Sequence, residues 1–569
     1  MEKRWVYKAA PAPEKVKHLA QCLSIHEVIA TVLCQRDICT FEGAKDYFRP
    51  SLDHLHDPFL MKDMAKAVNR LNEALYRQEK VLLYGDYDVD GTTSVAMAYS
   101  YLHPYFKENL SYYIPDRYKE GYGVSSEGIE WAIENGFTLI ISIDCGIKSN
   151  DKVAYASAKG IDFIICDHHL PDVEVPAAVA VLDPKQSDCP YPYKDLAGCG
   201  VGFKLMQAFC MQNNFDPEEL YSLLDLVVIS IAADIVPITG ENRILAYFGL
   251  KQLTEGPVRP GITALKELAA LKDEIDITTI VFGLAPRINA AGRMGDAKRS
   301  VAMLLAKTKE EAFEAAKSID ESNTSRRLHD TNTTREALLM IEGDEFLRNA
   351  KSTVLYKEGW NKGVVGIVAS RCIEKYYRPT IILTESNGMA SGSARSVPGF
   401  DVHSAILECS DLLEQFGGHM YAAGLTLKVE NIPAFRERFE EIVSRTLADE
   451  LRIPQIDIDA PLRLSQVSHP FCRIIKQMEP FGPGNMAPVF ASECVYDTGS
   501  CRVVGDTHLK LRLTQDGMTE IDAIAFGMAD HYPKILKGIP FDVCYCVEQN
   551  VFRGVTSLQL RIKDIRFRS

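Results

Sequence analysis

VLLYGDYDVDGTTSVAMAYSYL, residues 81–102, runs from an apolar segment through three alternate aspartates, Asp86, Asp88 and Asp90, into a helix-forming stretch that begins after Gly91. A short apolar strand feeding a helix through a tight turn is the repeating unit of a parallel sheet covered on both faces. Carboxylates at the carboxyl end of such a strand point into the crevice where these sheets take their ligands. No Lys or Arg stands beside them in sequence, so their mutual repulsion predicts a divalent cation. Two plainer readings compete, a solvated acidic turn and an EF-hand loop. The EF-hand needs a Glu at its twelfth position, where this chain has Met97, and a helix where this chain has a strand.

The same pattern recurs further along. FTLIISI (137–143) ends in Asp144-Cys145-Gly146, and IDFIIC (161–166) ends in Asp167-His168-His169. A lone Asp-His-His can be a capping element, but acidic ends on several strands of one sheet converge on one crevice. Imidazole mixed with carboxylate suits Mn²⁺ or a similar first-row ion. Asp234, closing the apolar run of SIAADIVP, is a further candidate ligand, with Asp225 and Asp183 as alternatives. Asp183, in LDP, also reads as a turn residue. No G-x-S-x-G motif supports a serine nucleophile.

Around this core the chain divides by pattern. Residues 1–75 read as a helical, partly irregular extension punctuated by Pro11, Pro13, Pro50 and Pro58. Strand–helix alternation over 76–240 predicts an α/β domain with a parallel sheet. Residues 241–350 read as helical, closing in a long, solvated connecting helix that is polar on most faces. Alternation returns over 351–450 as a second α/β domain. Residues 451–569 are β-rich, with VVGDTHLKLRLTQDG, TEIDAIAFG, FDVCYCVE and SLQLRIKDIRF expected as strands of a small OB-type barrel.

Composition sets outer limits. With 569 residues, 46% hydrophobic and 25% charged, the chain has ordinary globular chemistry and length for several domains. No apolar run reaches the ~18 residues of a membrane span, and MEKRWVYKAAPAPEK has no apolar signal core. Fifteen cysteines, an odd number with no C-x-x-C spacing, predict free thiols in a reducing cytoplasm. The net charge of −14 opposes nucleic-acid binding mildly, because a basic groove can be local. Arg117 with Gly121 and Gly123 reads as a phosphate clamp or a turn with a surface Arg. Arg287, Asn289, Arg293 and Arg299 read as a basic patch for a nucleic-acid backbone or a solvated helix face.

YGDYDVDGTTS, Asp144-Cys145-Gly146 and Asp167-His168-His169 resemble the motifs of the DHH phosphoesterases. PDRYKEGYG (115–123), LAGCGVGFKL (196–205), ADIVP (233–237) and RINAAGRMGDA (287–297) resemble those of the bacterial RecJ exonucleases, as do GWNKGVVGIVASR (359–371), SGSARS (391–396), GGHMYAAG (417–424) and PFGPGNMAPVF (480–490). The resemblance runs from roughly residue 45 to 569, with Asn361 where the family usually has His. It implies a DHH catalytic domain, a DHH-associated second domain and two ions of Mn²⁺ or Mg²⁺. Asp86 and Asp88 would each hold one ion, Asp144 would bridge both, His168 and Asp234 would complete the second site, His169 would contact the scissile phosphate, and Asp90 would orient ligands from behind. Gly392, Ser393, Arg395, Gly417, Gly418 and His419 would form the site for the substrate end, against the plainer reading of a Gly-rich structural turn. The implied activity is 5′→3′ hydrolysis of single-stranded DNA in recombination and repair, alongside a single-strand-binding protein and a helicase. The alternatives are another DHH enzyme acting on short oligonucleotides or cyclic dinucleotides, whose relatives generally lack the N-terminal extension and the C-terminal β domain, and a non-catalytic replication scaffold.

Overall fold

The computed structural model describes residues 2–271, 274–552 and 555–568. Five parallel strands form the first sheet, in the order 110–113, 81–85, 139–143, 162–166, 180–182. Strand 81–85 is followed by a neighbour on one side and then by strand 139–143 on the other, so the sheet's direction of growth reverses between them. That reversal opens a crevice at the carboxyl ends of these two strands. The run VLLYG is buried throughout because both faces are covered. Val81 and Leu83 pack toward helices Met64–Tyr76, Val89–Phe106 and Gly198–Asn213, while Leu82 and Tyr84 pack on the opposite face toward Ser126–Glu134 and Asn150–Ala158.

The second sheet is mixed, ordered 415–419, 422–427, 389–395, 380–386, 353–356. Helix Ile432–Thr446 covers one face and helix Val365–Tyr376 the other. Between the two α/β units runs the expected long helix, Lys309–Gly343, 35 residues and about 50 Å long. It is solvated on most sides. Its buried stripe (Ala312, Ala316, Ile319, Asn323, Asp330, Thr333, Ala337, Ile341) keeps 3–4-residue spacing apart from one two-turn step between Asn323 and Asp330. The first three of these join the core of the first unit, and Ala337 and Ile341 join that of the second.

The C-terminal strands close into a ring. Strand 490–497 pairs with 541–552, then 555–567, 521–525 and 508–514 follow, and Tyr496–Asp497 pair back onto Leu513–Thr514. This is the expected OB-type barrel.

The N-terminal segment does not form a unit of its own. It opens with a strand, Arg4–Tyr7, paired in parallel with Gln455–Ile458. Helices Pro13–Leu23, Glu27–Cys34 and Phe41–Phe48 put Leu19, Ile29, Leu33 and Ala44 into one core with Leu464, Phe471, Phe490 and Tyr545 of the C-terminal region. Helix Met64–Tyr76 belongs instead to the first sheet. Periodicity within residues 1–75 reports that helices form but carries no information about a partner more than four hundred residues away.

Ending the chain at residue 453 removes the apolar partner of the helices in 13–48. Hydrogen exchange within 29–34 should then accelerate toward that of a locally unfolded segment, while strands 81–85 and 139–143 stay protected. Undiminished protection of 29–34 in the truncated chain would overturn the shared core.

Candidate functional site

Asp86 follows strand 81–85, Asp144 follows 139–143, and Asp167-His168-His169 follow 162–166, so the crevice collects all three acidic strand ends. Asp234 arrives from another direction, as the C-terminal cap of helix Leu224–Ala233. His168 Nε2 lies 3.2 Å from Asp144 Oδ1, 3.6 Å from Asp234 Oδ2 and 3.8 Å from Asp90 Oδ2. Two sets of ligand atoms come close enough to share an ion: Asp144, His168 and His169, and Asp90, His168 and Asp234.

Close backbone approach builds this cluster. A Cβ on Gly91 would stand 2.3 Å from the Asp86 carbonyl oxygen, and one on Gly198 would stand 2.6 Å from Asp144 Cβ. Glycine at 198 lets helix Gly198–Asn213 begin against the acidic site, and Asp90 caps that helix. Its Oδ2 accepts from Gly198 N (2.8 Å), and its Oδ1 from Cys199 N (2.9 Å) and Ser230 Oγ (2.7 Å). A carboxylate at a helix N-terminus is stabilised by the helix dipole and by donors that would otherwise be unpaired. Asp90 is thereby held among protein donors while its Oδ2 stays 3.8 Å from His168 Nε2. Asp88 caps helix Val89–Phe106, its Oδ1 accepting from Gly91 N at 3.0 Å, and neither it nor Asp86 falls in the two sets of ligand atoms. Asp144 sits at φ +65°, a left-handed conformation that is uncommon for a side chain other than glycine.

Electrostatics inside the cluster is unfavourable without a counter-charge. Burial, followed by repulsion from neighbouring carboxylates, pushes the Asp86, Asp88, Asp144 and Asp234 carboxyls above the usual range. Asp86 Oδ2 and both ring nitrogens of His168 are buried with no hydrogen-bond partner. Burial holds the His168 ring down at about 4, so at neutral pH it is an uncharged imidazole with a free lone pair. Carboxylates in excess, a neutral imidazole and orphaned acceptors fit a divalent first-row cation.

His169 behaves in the opposite way. Its Nδ1 bonds Asp167 Oδ1 at 2.7 Å, and Asp167 also accepts from Ile147 N and His168 N. Burial disfavours the charged ring, but the bond to Asp167 outweighs it and raises His169 to about 9. Burial likewise opposes ionisation of Asp167, and the His169 bond overrides it, keeping that carboxyl below its usual range. Tyr122 reaches the other side of the ring, 3.1 Å from Nε2, and its hydroxyl donates to the Asp144 carbonyl at 3.3 Å.

Beyond Tyr87 the charge reverses. A cleft of about 340 Å³ runs between the first unit (Tyr87, Arg117, Tyr118), the helical region (Arg293) and the second α/β unit (Lys362, Ser393, Arg395). Arg117 lies over the Tyr87 ring, 4.8 Å from its centroid. Burial, then the neighbouring positive charges, lowers Arg293 to about 10 and shifts Lys362 and Arg395 down as well. Among the described residues no carboxylate lines the cleft. Glycine at 366 makes room for Arg395, whose Nη2 would be 2.8 Å from a Cβ there.

The residues expected at the substrate end are therefore only partly assembled. Arg117, Arg293, Ser393 and Arg395 meet in the cleft. His419 lies on the exposed edge strand Gln415–His419, and after burial the charges of Arg395 and His169 hold its ring below the ordinary value. Gly418, at φ +146° on the same strand, packs against Ala422 and Ala423. The expected basic patch divides. Arg287 pairs with Asp320 (2.8 Å), Arg299 turns to Ser318, and Arg293 alone enters the cleft. Asn289 sits one helical turn before Arg293, with its Oδ1 buried and unpartnered. The Gly123 amide is turned to Asp86 Oδ1 (3.3 Å), so it belongs to the acidic side and not to a phosphate clamp with Arg117. Asp225 is neutralised by Arg259 at 2.5 Å. Asp183 is buried and raised to about 7 by that burial, with Oδ1 accepting from Lys185 N. Lys362, Tyr118 and Tyr122 were not singled out from sequence, although each lies in a quoted motif. Asn361 Oδ1 accepts from Gly363 N at 2.8 Å and shapes the loop beside Lys362.

Comparison with known proteins agrees with this architecture. Residues 80–231 match the DHH family N-terminal domain, 349–445 the DHHA1 domain and 458–564 the RecJ OB domain. The chain is 37% identical over 568 residues to the single-stranded-DNA-specific exonuclease RecJ of Bacillus subtilis, covering 99% of this chain and 70% of that protein. It is 34% identical over 525 residues to the Escherichia coli RecJ, covering 89% and 90%. This chain belongs to the RecJ family. The crystal structure of Thermus thermophilus RecJ in complex with Mn²⁺ superposes with a TM-score of 0.84 at 26% identity, covering all of this chain and 80% of that one. The corresponding Mg²⁺ complex gives 0.78 at 25% identity, covering 100% and 79%. This RecJ-family chain thus carries its carboxylate–imidazole cluster and its cationic cleft on a fold solved elsewhere with both metals.

The raised His169 contributes stability that is present in full below its unfolded value of ~6.5 and is lost as pH rises through about 9. The depressed Asp167 contributes above ~3.9 and loses its contribution as pH falls. The pair therefore favours the folded chain across the interval between. In metal-free protein, NMR should find His169 titrating near 9, and Asp167→Asn should lower it clearly, because burial is then opposed only by the charges of Asp234 and Asp90. An unmoved His169 titration in that variant would contradict the assignment.

Proposed function

We propose that this chain is a metal-dependent exonuclease that hydrolyses single-stranded DNA from the 5′ end, the polarity that its resemblance to RecJ implies. The observation that carries the reading is the meeting of two opposite charge clusters at Tyr87: carboxylates and imidazoles on one side, and Arg117, Arg293, Lys362 and Arg395 on the other. A strand end is the ligand that satisfies both, because its terminal phosphate needs cations and its next phosphodiester needs a hydrolytic centre.

Asp86, Asp88, Asp144, His168 and Asp234 would hold two ions of Mn²⁺ or Mg²⁺. When bound, these supply an activated water and neutralise charge on the departing oxygen. His168, uncharged at neutral pH, offers its lone pair to that centre. His169, kept protonated by Asp167, donates to a phosphate oxygen and offsets the charge that grows there. Asp90 holds the start of helix Gly198–Asn213 against Asp144. In the cleft, Arg395 and Ser393 fix the terminal phosphate through charge-assisted hydrogen bonds, while Arg117 and Arg293 neutralise the backbone between the two clusters.

Strand selection follows from size. A cleft of about 340 Å³ has the scale of a small-ligand pocket. It admits one nucleotide at a time and excludes a duplex, whose major groove alone is ~12 Å wide. In the cell a helicase and a single-strand-binding protein would supply and present the strand, in the cytoplasm, during recombination and repair. No helix among the described residues is long and apolar enough to cross a membrane.

The deciding experiment digests end-labelled single and blunt double strands with Mn²⁺, Mg²⁺ or EDTA. The single strand alone should shorten from its 5′ end, with either metal and not with chelator. Equal rates on both substrates, or loss of label order from the 3′ end, would refute the reading. Asp144→Ala should lower turnover about a hundredfold or more, equivalent to ~3 kcal/mol of barrier, and near-normal turnover at saturating Mn²⁺ would remove Asp144 from the centre. Arg395→Ala should raise KM roughly ten- to a hundredfold with little change in kcat, since a charge-assisted bond to phosphate contributes ~1.5–3 kcal/mol. A large loss in kcat at unchanged KM would instead place Arg395 among the groups that act on the reacting phosphate.

A further inference from the structure

Among the described residues Asp234, like Asp144, accepts from no protein donor through its side chain, but it reaches the cluster from the C-terminal end of a helix and not from a strand. The ring beside it, His168 with Nε2 at 3.6 Å, is uncharged. Its position is therefore set by the backbone on either side. Upstream is helix Leu224–Ala233. Downstream the chain leaves at Ile235 in a left-handed conformation (φ +60°), and four residues after Asp234 it meets the C-terminal region, where Ile238 N donates to Pro483 O at 2.7 Å.

That contact is a fitted surface. A Cβ on Gly482 would lie 2.5 Å from Ile238 Cγ1, and one on Gly484, at φ +72°, would lie 2.9 Å from Thr239 Cγ2. On the catalytic side Tyr193 and Asn242 donate to the Pro237 carbonyl at 3.3 and 3.0 Å. On the other side Asn485 braces the turn, its Nδ2 donating to Met478 O and Pro480 O while its Oδ1 accepts from Tyr47 and Arg36 of the N-terminal helices. Arg243 stacks over the Tyr47 ring at 4.0 Å and donates to Glu479 O at 2.9 Å. The N-terminal helices, the turn before the barrel and the segment after Asp234 thus form one continuous packed joint.

We infer that the Gly482-Pro483-Gly484-Asn485 turn is a positioning element for Asp234, through which the barrel end of the molecule sets metal affinity at the catalytic centre. The inference rests on the reading of Asp234 as a metal ligand. Groups that orient a metal ligand from behind typically change affinity by about 10–100-fold when lost. A glycine turn suits the task because bare backbone lets Ile238 and Thr239 seat closely, so a side chain there displaces the segment without touching the metal site.

The test uses the full chain without DNA. Mn²⁺ binding to Gly484→Val is measured by calorimetry beside wild type, Asp234→Asn and Met518→Ser, the last a change at an exposed barrel turn. Gly484→Val should bind Mn²⁺ about tenfold more weakly and show a lowered kcat, at unchanged KM for a short oligonucleotide, that recovers as Mn²⁺ is raised. Met518→Ser should match wild type. Should the valine unfold the chain by circular dichroism, Gly484→Ala, which introduces a single methyl against Thr239, provides the same comparison. If Asp234→Asn binds Mn²⁺ like wild type, the ligand assignment itself fails. If Asp234→Asn loses affinity while a folded Gly484 variant keeps it in full, the positioning role of the turn fails and the assignment stands.

Discussion

Carboxylates gathered at the switch point of one parallel sheet repel and desolvate one another, and much of the molecule is arranged around holding them there. Asp86, Asp88, Asp144 and Asp234 are each disfavoured as anions by burial and by their neighbours. Such a cluster persists only where the scaffold is stiff and a counter-charge is available. Stiffness comes from the two covered faces of the sheet, from glycines that let backbone abut carboxylate, and from Asp90, whose negative charge sits on a helix N-terminus. The same residue type therefore does opposite work within five positions: Asp86 keeps an orphaned oxygen turned to the site, and Asp90 has both oxygens engaged by donors.

The two histidines of the Asp-His-His run divide in the same manner. Their rings are adjacent, 4.6 Å apart, yet His168 is held neutral and His169 charged. The difference is one carboxylate. Asp167 bonds the His169 ring, whereas no carboxylate hydrogen-bonds His168, so burial, helped by the neighbouring His169 charge, prevails there over the pull of Asp90 and Asp167. A neutral imidazole and a charged imidazolium are thus produced from one dipeptide by the direction in which a third side chain points.

Much of this was legible in sequence because it is local. Strand ends followed by Asp, and the helix that opens within the acidic run at Val89, ahead of the expected start after Gly91, depend on residues within a few positions of one another, and the sheet's burial on both faces explains the unbroken apolar runs. What was not legible depends on distance. Nothing in residues 13–48 reveals that Leu33 and Ala44 share a core with Phe490. Nothing in RINAAGR says that Arg287 will find Asp320 while Arg293 turns into the cleft. Lys362 and Tyr122 lay inside recognised motifs but carried no pattern of their own, since a single Lys or Tyr on a loop gains meaning only from what faces it. Gly482 and Gly484 lie in the quoted motif PFGPGNMAPVF, which says nothing of their packing partners, Ile238 and Thr239 of the catalytic unit.

The net charge of −14 and the cationic cleft are compatible once their scales are separated. At physiological ionic strength fields are screened within ~8 Å, so a polyanion responds to the patch nearest to it and not to the total. A surface that is acidic on average discourages adsorption of DNA elsewhere. A narrow cleft with low-dielectric walls and several cations focuses potential at one mouth. Arg117, Arg293, Lys362 and Arg395 repel one another as the carboxylates beyond Tyr87 do. Each cluster is thus an unfavourable arrangement that an ion of the opposite sign relieves, an anion in the cleft and a cation at the carboxylates, and the two meet on either side of Tyr87.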